Sequence, residues 1–150
     1  MPFYYLPISV FIISLCASYF LRFTPPIIAL VYFLLSIVTF YLYYKDKRAA
    51  KEGLWRVSED TLHIIALLGG WPGAIMGQYI FRHKTQKLRF RVVFYLTLLI
   101  NLTVFVGLHT PYGQKPFRSA VYNSEYWIVN TFGDHELVII ALRLTRFRLL

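Results

Sequence analysis

Cysteine is almost missing from this 150-residue chain: Cys16 stands alone, inside an apolar run. That excludes an intramolecular disulfide and a cysteine-based metal site. A single thiol among apolar neighbours reads as a small apolar side chain. Acids are also scarce, seven against sixteen Lys and Arg, and only 15% of residues carry charge. Soluble domains hold about 25%. The chain has no Gly-x-Ser-x-Gly, no His-Glu-x-x-His and no phosphate loop. It shows no internal repeat and no low-complexity tract. No metal ligand set and no cofactor are expected.

What is present is apolar: 57% of residues, rich in Phe and Tyr. Four runs stand out, 3–21, 27–44, 62–81 and 92–108. Each approaches the ~20 residues that cross ~30 Å of hydrocarbon as a helix. Lipid gives the backbone no hydrogen bonds, so these runs are expected to be helical. The first follows no basic stretch and lacks a small-x-small cleavage pattern, so 1–21 reads as a retained helix rather than a signal peptide. Arg22 and Pro25-Pro26 end it in a turn. Tyr41, Tyr43 and Tyr44 read as an interfacial belt closing the second run. The fold class expected is an all-α integral membrane protein of three to four hydrophobic helices. Residues 1–108 form its membrane domain, and 109–150 an extramembrane or interfacial tail. In the tail, 109–127 is turn-rich and polar. Leu137 to Leu142 is too short to span and suits a basic interfacial helix or a β-like segment.

The net charge of +9 would suggest nucleic acid in a soluble protein. Here most of the excess flanks apolar runs, which points to anionic lipid headgroups and the positive-inside rule. Loop 45–61 holds Lys45, Lys47, Arg48, Lys51 and Arg56. Loop 82–91 holds Arg82, Lys84, Lys87, Arg89 and Arg91. If segment 62–81 crosses fully, one of these short basic loops breaks the rule. If it enters and returns, both face the cytoplasm.

The composition of that segment allows both outcomes. Gly69, Gly73 and Gly77 lie four apart, a small-residue seam for close helix contact, within this chain or in a homo-oligomer. Pro72 interrupts a continuous helix. Gly70-Trp71-Pro72 then reads as a turn with Pro72 opening a second short helix. The charge argument favours the kinked or re-entrant form. Ahead of it, Ser58-Glu59-Asp60 reads as an N-cap with two acids in the first turn, and Gly53 as the end of a helical stretch 45–52.

The ordered residues Asp46-Lys47, Ala50, Trp55-Arg56, Glu59, Leu62, Gly69-Gly70-Trp71-Pro72-Gly73-Ala74, Arg82-His83-Lys84-Thr85, Lys87 and Phe90 resemble a bacterial membrane family known as domain of unknown function 1294. The resemblance covers about 41–101. It implies a bacterial inner-membrane, multi-pass location and supplies no mechanism. Some relatives carry a cold-shock domain, which would bind nucleic acid. Nothing in this chain matches that domain, and no direct nucleic-acid binding is expected.

Three function classes follow. The leading one is a membrane scaffold or anionic-lipid-binding module, with Lys47, Arg56, Arg82, Lys84 and Lys87 as headgroup ligands. The alternative is a small membrane enzyme acting on lipid headgroups, with Glu59 and His83 as an acid–base pair. A transporter is weaker, because the middles of the first, second and fourth runs lack ionisable groups. The structural reading of the polar set is plainer: Glu59 caps a helix and pairs with Arg56, and the lysines meet lipid phosphates. His63 shares a helix face with Glu59, a pair more often interfacial than metal-binding. Asn101 sits in mid-membrane and is expected to bond across helices.

Overall fold

The computed structural model describes residues 5–81, 87–133 and 136–147. Seven α-helices occur among them: α1 Tyr5–Phe20, α2 Pro26–Glu52, α3 Glu59–Ile65, α4 Trp71–Phe81, α5 Leu88–Gly107, α6 Pro111–Phe132 and α7 Glu136–Thr145. A π-helical turn, Ala66–Gly70, joins α3 to α4. Three stretches are long and apolar enough to cross a membrane: Pro26–Glu52, Glu59–Phe81 and Leu88–Gly107. The chain is an all-α membrane protein. Its residues divide into two compact units, Met1–Ser9 with Val31–Thr103, and Val10–Leu30 with Val104–Leu150.

In the first unit the polarity of a soluble helix is inverted. Helix α2 buries Thr39, Tyr43, Asp46 and Ala49, at helical spacing, and exposes Phe33, Leu34, Ile37 and Val38. Helix α5 buries Phe90, Phe94, Thr97 and Asn101 and exposes Tyr95, Leu96, Leu99 and Ile100. A continuous apolar outside around a partly polar inside marks a lipid-facing surface.

The third apolar segment does not run straight through. Its path can be read from its neighbours on α2. Val57 meets Asp46. Gly69 lies against Tyr32 and Leu35, Gly73 against Ser36, and Gly77 against Tyr43. Phe81 stacks with Phe40 and Tyr44. The chain therefore descends α2 from position 46 to position 32, then climbs back to position 44. At 1.5 Å per residue the descent is roughly 21 Å, about two-thirds of the ~30 Å hydrocarbon core. Segment 59–81 has the length of a span and the course of a hairpin.

The reversal falls at Gly69, whose φ of 124° and ψ of −3° are non-helical. A side chain is strained there, and its Cβ would stand 3.2 Å from the Tyr32 ring. The turn is therefore one residue before the Gly70-Trp71-Pro72 expected from proline. Trp71 and Pro72 open α4, where a missing N–H is harmless. Helix α4 returns in close contact with α2. A Cβ on Gly73 would overlap the Ser36 backbone, and one on Gly77 would lie 2.7 Å from Tyr43 Cβ. The glycine face thus finds its partner helix within the chain.

At the hairpin tip the side chain of Asn101 on α5 meets the backbone. Its Nδ2 donates to Leu67 O at 2.7 Å and to Ala66 O at 3.4 Å, and its Oδ1 accepts from the Tyr32 hydroxyl at 3.0 Å. One side chain joins the tip to both α5 and α2.

In the second unit α1 ends where Arg22 takes a left-handed φ of 65° and Phe23 N–H bonds Ser18 O. Ser18, Thr24 and His109 form a linked polar group: Ser18 Oγ is 2.8 Å from Thr24 Oγ1 and 2.9 Å from His109 Nε2. Gln114 and Arg118 donate to the carbonyls of Phe23 and Arg22. The stretch expected to be turn-rich is helix α6. Thr110 caps it by accepting from Gly113 N–H, and Pro111 occupies the first turn, where proline suits a helix. Its half-buried side, Phe117, Val121, Glu125 and Ile128, keeps helical spacing. The later apolar stretch is helix α7, not a strand, and Thr145 on it bonds Glu125.

Four substitutions test the hairpin. Gly73→Leu is expected to destabilise by more than the ~1–3 kcal/mol of ordinary overpacking, because the obstacle is backbone. Gly107→Ala, where a Cβ meets nothing within 4 Å, is expected to leave stability unchanged. Asn101→Leu is expected to cost about 1–3 kcal/mol through unmet polar groups, and Tyr32→Phe less. Thermal unfolding of the detergent-solubilised protein would rank all four. Equal melting temperatures for Asn101→Leu and the parent would refute the clamp.

Candidate functional site

The polar residues singled out in the sequence gather at the base of the hairpin. Helix α2 ends at Glu52, and Gly53 takes φ 69°. Leu54 N–H then returns to Ala49 O at 3.0 Å, closing a Schellman turn. That turn sends 54–57 back along α2. Asp46, fully buried, receives Val57 N–H at 3.1 Å, and Arg56 approaches its two oxygens at 3.4 and 3.5 Å. Ser58 then caps α3, accepting Thr61 N–H at 3.1 Å.

Glu59 has a partner distant in sequence. Lys87 reaches both of its carboxylate oxygens at 3.0 Å. Arg56, three residues earlier, approaches buried Asp46, and Lys87 at the start of α5 supplies a partner for Glu59 from 28 residues away. The two ion pairs differ in weight. Lys87 and Glu59 are partly exposed, and such pairs contribute ~0–1 kcal/mol. Asp46 is buried, so removing what meets it leaves a charge without water, at about 3–5 kcal/mol.

Two further members were not foreseen. Tyr43, read as part of an interfacial belt, is 1% exposed and accepts from Gln78 at 3.1 Å. Its position on the same helix stripe as Thr39 and Asp46 was the available signal. Tyr41 and Tyr44 are exposed, as a belt requires. His63 lies on the Phe90 ring, with centroids 4.3 Å apart. Arg82, His83 and Lys84 lie outside the described residues. Lys47 is half-buried. Among the described residues no group of three His, Cys, Asp or Glu could hold a metal ion.

The structure thus brings Asp46, Arg56, Glu59 and Lys87 to one end of the unit, each in a contact that fastens the hairpin base. Asp46→Leu is expected to lower stability by about 1–3 kcal/mol, because the Val57 N–H loses its acceptor while the half-exposed Arg56 can turn to water. Asp46→Asn retains an acceptor for Val57 N–H and should lose less. Glu59→Gln should lose ~1 kcal/mol or less. Comparing melting temperatures would check the order, and a Glu59→Gln loss as large as that of Asp46→Leu would contradict it.

Comparison with known proteins places the chain in a family. The family described as Protein of unknown function (DUF1294) matches residues 36–90, from α2 through the hairpin to the start of α5. The uncharacterized protein YsdA of Bacillus subtilis (strain 168) is 35% identical over 86 residues, which cover 57% of this chain and 97% of that protein. No solved structure matches. With nearly the whole of that relative covered, and with the glycine hairpin and its base inside the matched region, the chain belongs to the DUF1294 family.

Proposed function

We propose that this protein is a multi-pass scaffold of the bacterial cytoplasmic membrane that gathers anionic lipids at its cytoplasmic face. The observation that carries the reading is the reversal at Gly69. It brings the end of α2 and the start of α5 to the same end of the unit, where Glu59 meets Lys87. Loops 45–61 and 82–91 together hold ten of the chain's sixteen Lys and Arg and four of its seven acids. A short-loop excess of that size belongs on the cytoplasmic side. There it attracts anionic headgroups by about 1 kcal/mol for each cation near the surface. The pairing of Glu59 with Lys87 supports a fastening role for that carboxylate over acid–base chemistry.

The test is sidedness. In a Cys16→Ser background, single cysteines replace Glu52 and Leu88, and an impermeant thiol reagent is applied to intact cells. Both sites are expected to label only after the membrane is opened. A cysteine at Tyr112, beyond α5, is expected to label from outside. If positions 52 and 88 label from opposite sides, the shared basic face does not exist and the reading falls.

A further inference from the structure

One groove in the first unit lies apart from the hairpin base. It has a volume of ≈270 Å³ and follows a single stripe of α2. Tyr41 and Tyr44 form its lower end, Lys45 and Arg48 its middle, and Glu52 its upper end. The opposite wall is the returning linker, Leu54 and Trp55. That wall is fixed by backbone, through Leu54 N–H on Ala49 O above and Val57 N–H on Asp46 below.

Three features say what the groove accommodates. Its depth is the first. The apolar run of α2 ends at Tyr44 and charge begins at Lys45. From Tyr41 to Glu52 the helix rises about 16 Å, which carries the groove from the upper hydrocarbon through the ~5–7 Å headgroup layer. Its charge is the second. Lys45 forms no ion pair among the described residues, while Arg48 Nε donates to Glu52 at 2.8 Å. Two cations and one carboxylate leave one net positive charge. Glu52 occupies one donor of a guanidinium that has five. Trp55 is the third. Its indole is 95% exposed at the end of a fixed linker, next to the half-exposed Leu54. Indoles settle at the membrane–water interface, their apolar body toward the acyl chains and their N–H toward water.

We infer that this groove binds the headgroup of a monoanionic phospholipid. The phosphodiester lies at Lys45 and Arg48, the glycerol passes under Trp55, and the acyl chains descend past Tyr44 and Tyr41. The volume fits a headgroup whose chains stay in the bilayer. It falls just short of the ~300–1,000 Å³ of pockets that enclose whole ligands. The inference rests on the lipid-gathering reading above and narrows it to one site, with residues other than those that fasten the hairpin.

Native mass spectrometry of the full chain, released from nanodiscs of phosphatidylglycerol and phosphatidylcholine, reads bound lipid directly. The parent is expected to retain phosphatidylglycerol preferentially. Lys45→Gln and Arg48→Gln should each reduce retention about fivefold, the equivalent of ~1 kcal/mol per cation. Trp55→Ala should also reduce it, and a charge-state distribution matching the parent's checks that each variant stays folded. Lys51→Gln removes the same charge from the same end of α2, outside the groove, and should change little. Equal losses for Lys51→Gln and Lys45→Gln would overturn the groove and leave diffuse attraction to the basic face. No preference for phosphatidylglycerol in the parent would overturn both. Displacement of the lipid by millimolar inorganic phosphate would assign the groove to a soluble anion and overturn the lipid proposal.

Discussion

A polar group inside a bilayer has no water to turn to, and the structure is organised around one amide that meets the backbone at the tip of segment 59–81. There Ala66 and Leu67 lie in the π-helical turn instead of a regular α-helical ladder. Asn101 supplies the donors, and Tyr32 completes its amide from the other side. An unmet polar group in hydrocarbon costs several kcal/mol, so this amide favours the broken course over a straight helix. The straight course would send loops 45–61 and 82–91 to opposite faces. On the function proposed above, the shared side of those two loops rests on the turn that this amide holds.

Close packing is the second half of that bargain. Between helices in lipid there is little hydrophobic gain, because lipid tails are as apolar as the side chains they replace. Contact must come from dispersion and hydrogen bonds, and both reward short separation. Gly73 and Gly77 let α4 touch the backbone and Cβ atoms of α2. The buried stripe of α2 accordingly holds Thr39, Tyr43 and Asp46, whose polar atoms are met inside the unit, while its leucines and phenylalanines face outward. A soluble helix with this arrangement would be inside out.

Much of this was legible in the residues. Apolar run lengths gave the helices, Gly53 the end of α2, and Ser58 the cap of α3. The surplus of basic residues on both flanks argued for a return, since charge sidedness is a property of sequence. The exact reversing residue was not legible. Proline is the conspicuous breaker, yet a proline in the first turn of α4 disturbs nothing, and any of four nearby glycines tolerates positive φ. Gly69 is selected by where Tyr32 and Asn101 stand, and both are distant in sequence. The same limit hid the partner of Glu59, 28 residues away at Lys87, and the burial of Tyr43 among exposed tyrosines. Helix α6 was masked by Pro111, Gly113 and Pro116, residues that punctuate loops in general. Thr110 capping the first turn shows that two of them sit where a helix start accepts them.

The two ends of the hairpin solve different problems. At the tip there is no water, so the fit has to be complete and is made by a neutral amide. At the base, water and headgroups are near, and charge is affordable: Arg56 is half exposed while its partner Asp46 is buried. That asymmetry has a consequence for the linker. Because Asp46 faces inward and binds Val57 N–H, residues 54 and 55 are pinned against α2 and turned outward. The exposed Trp55 edge is thus a product of the contact that closes the hairpin. A change at Asp46 would release both, so loss of lipid in such a variant would say nothing about the groove. Only substitutions on the rim, at Lys45, Arg48 or Trp55, separate recognition of lipid from the integrity of the fold beneath it.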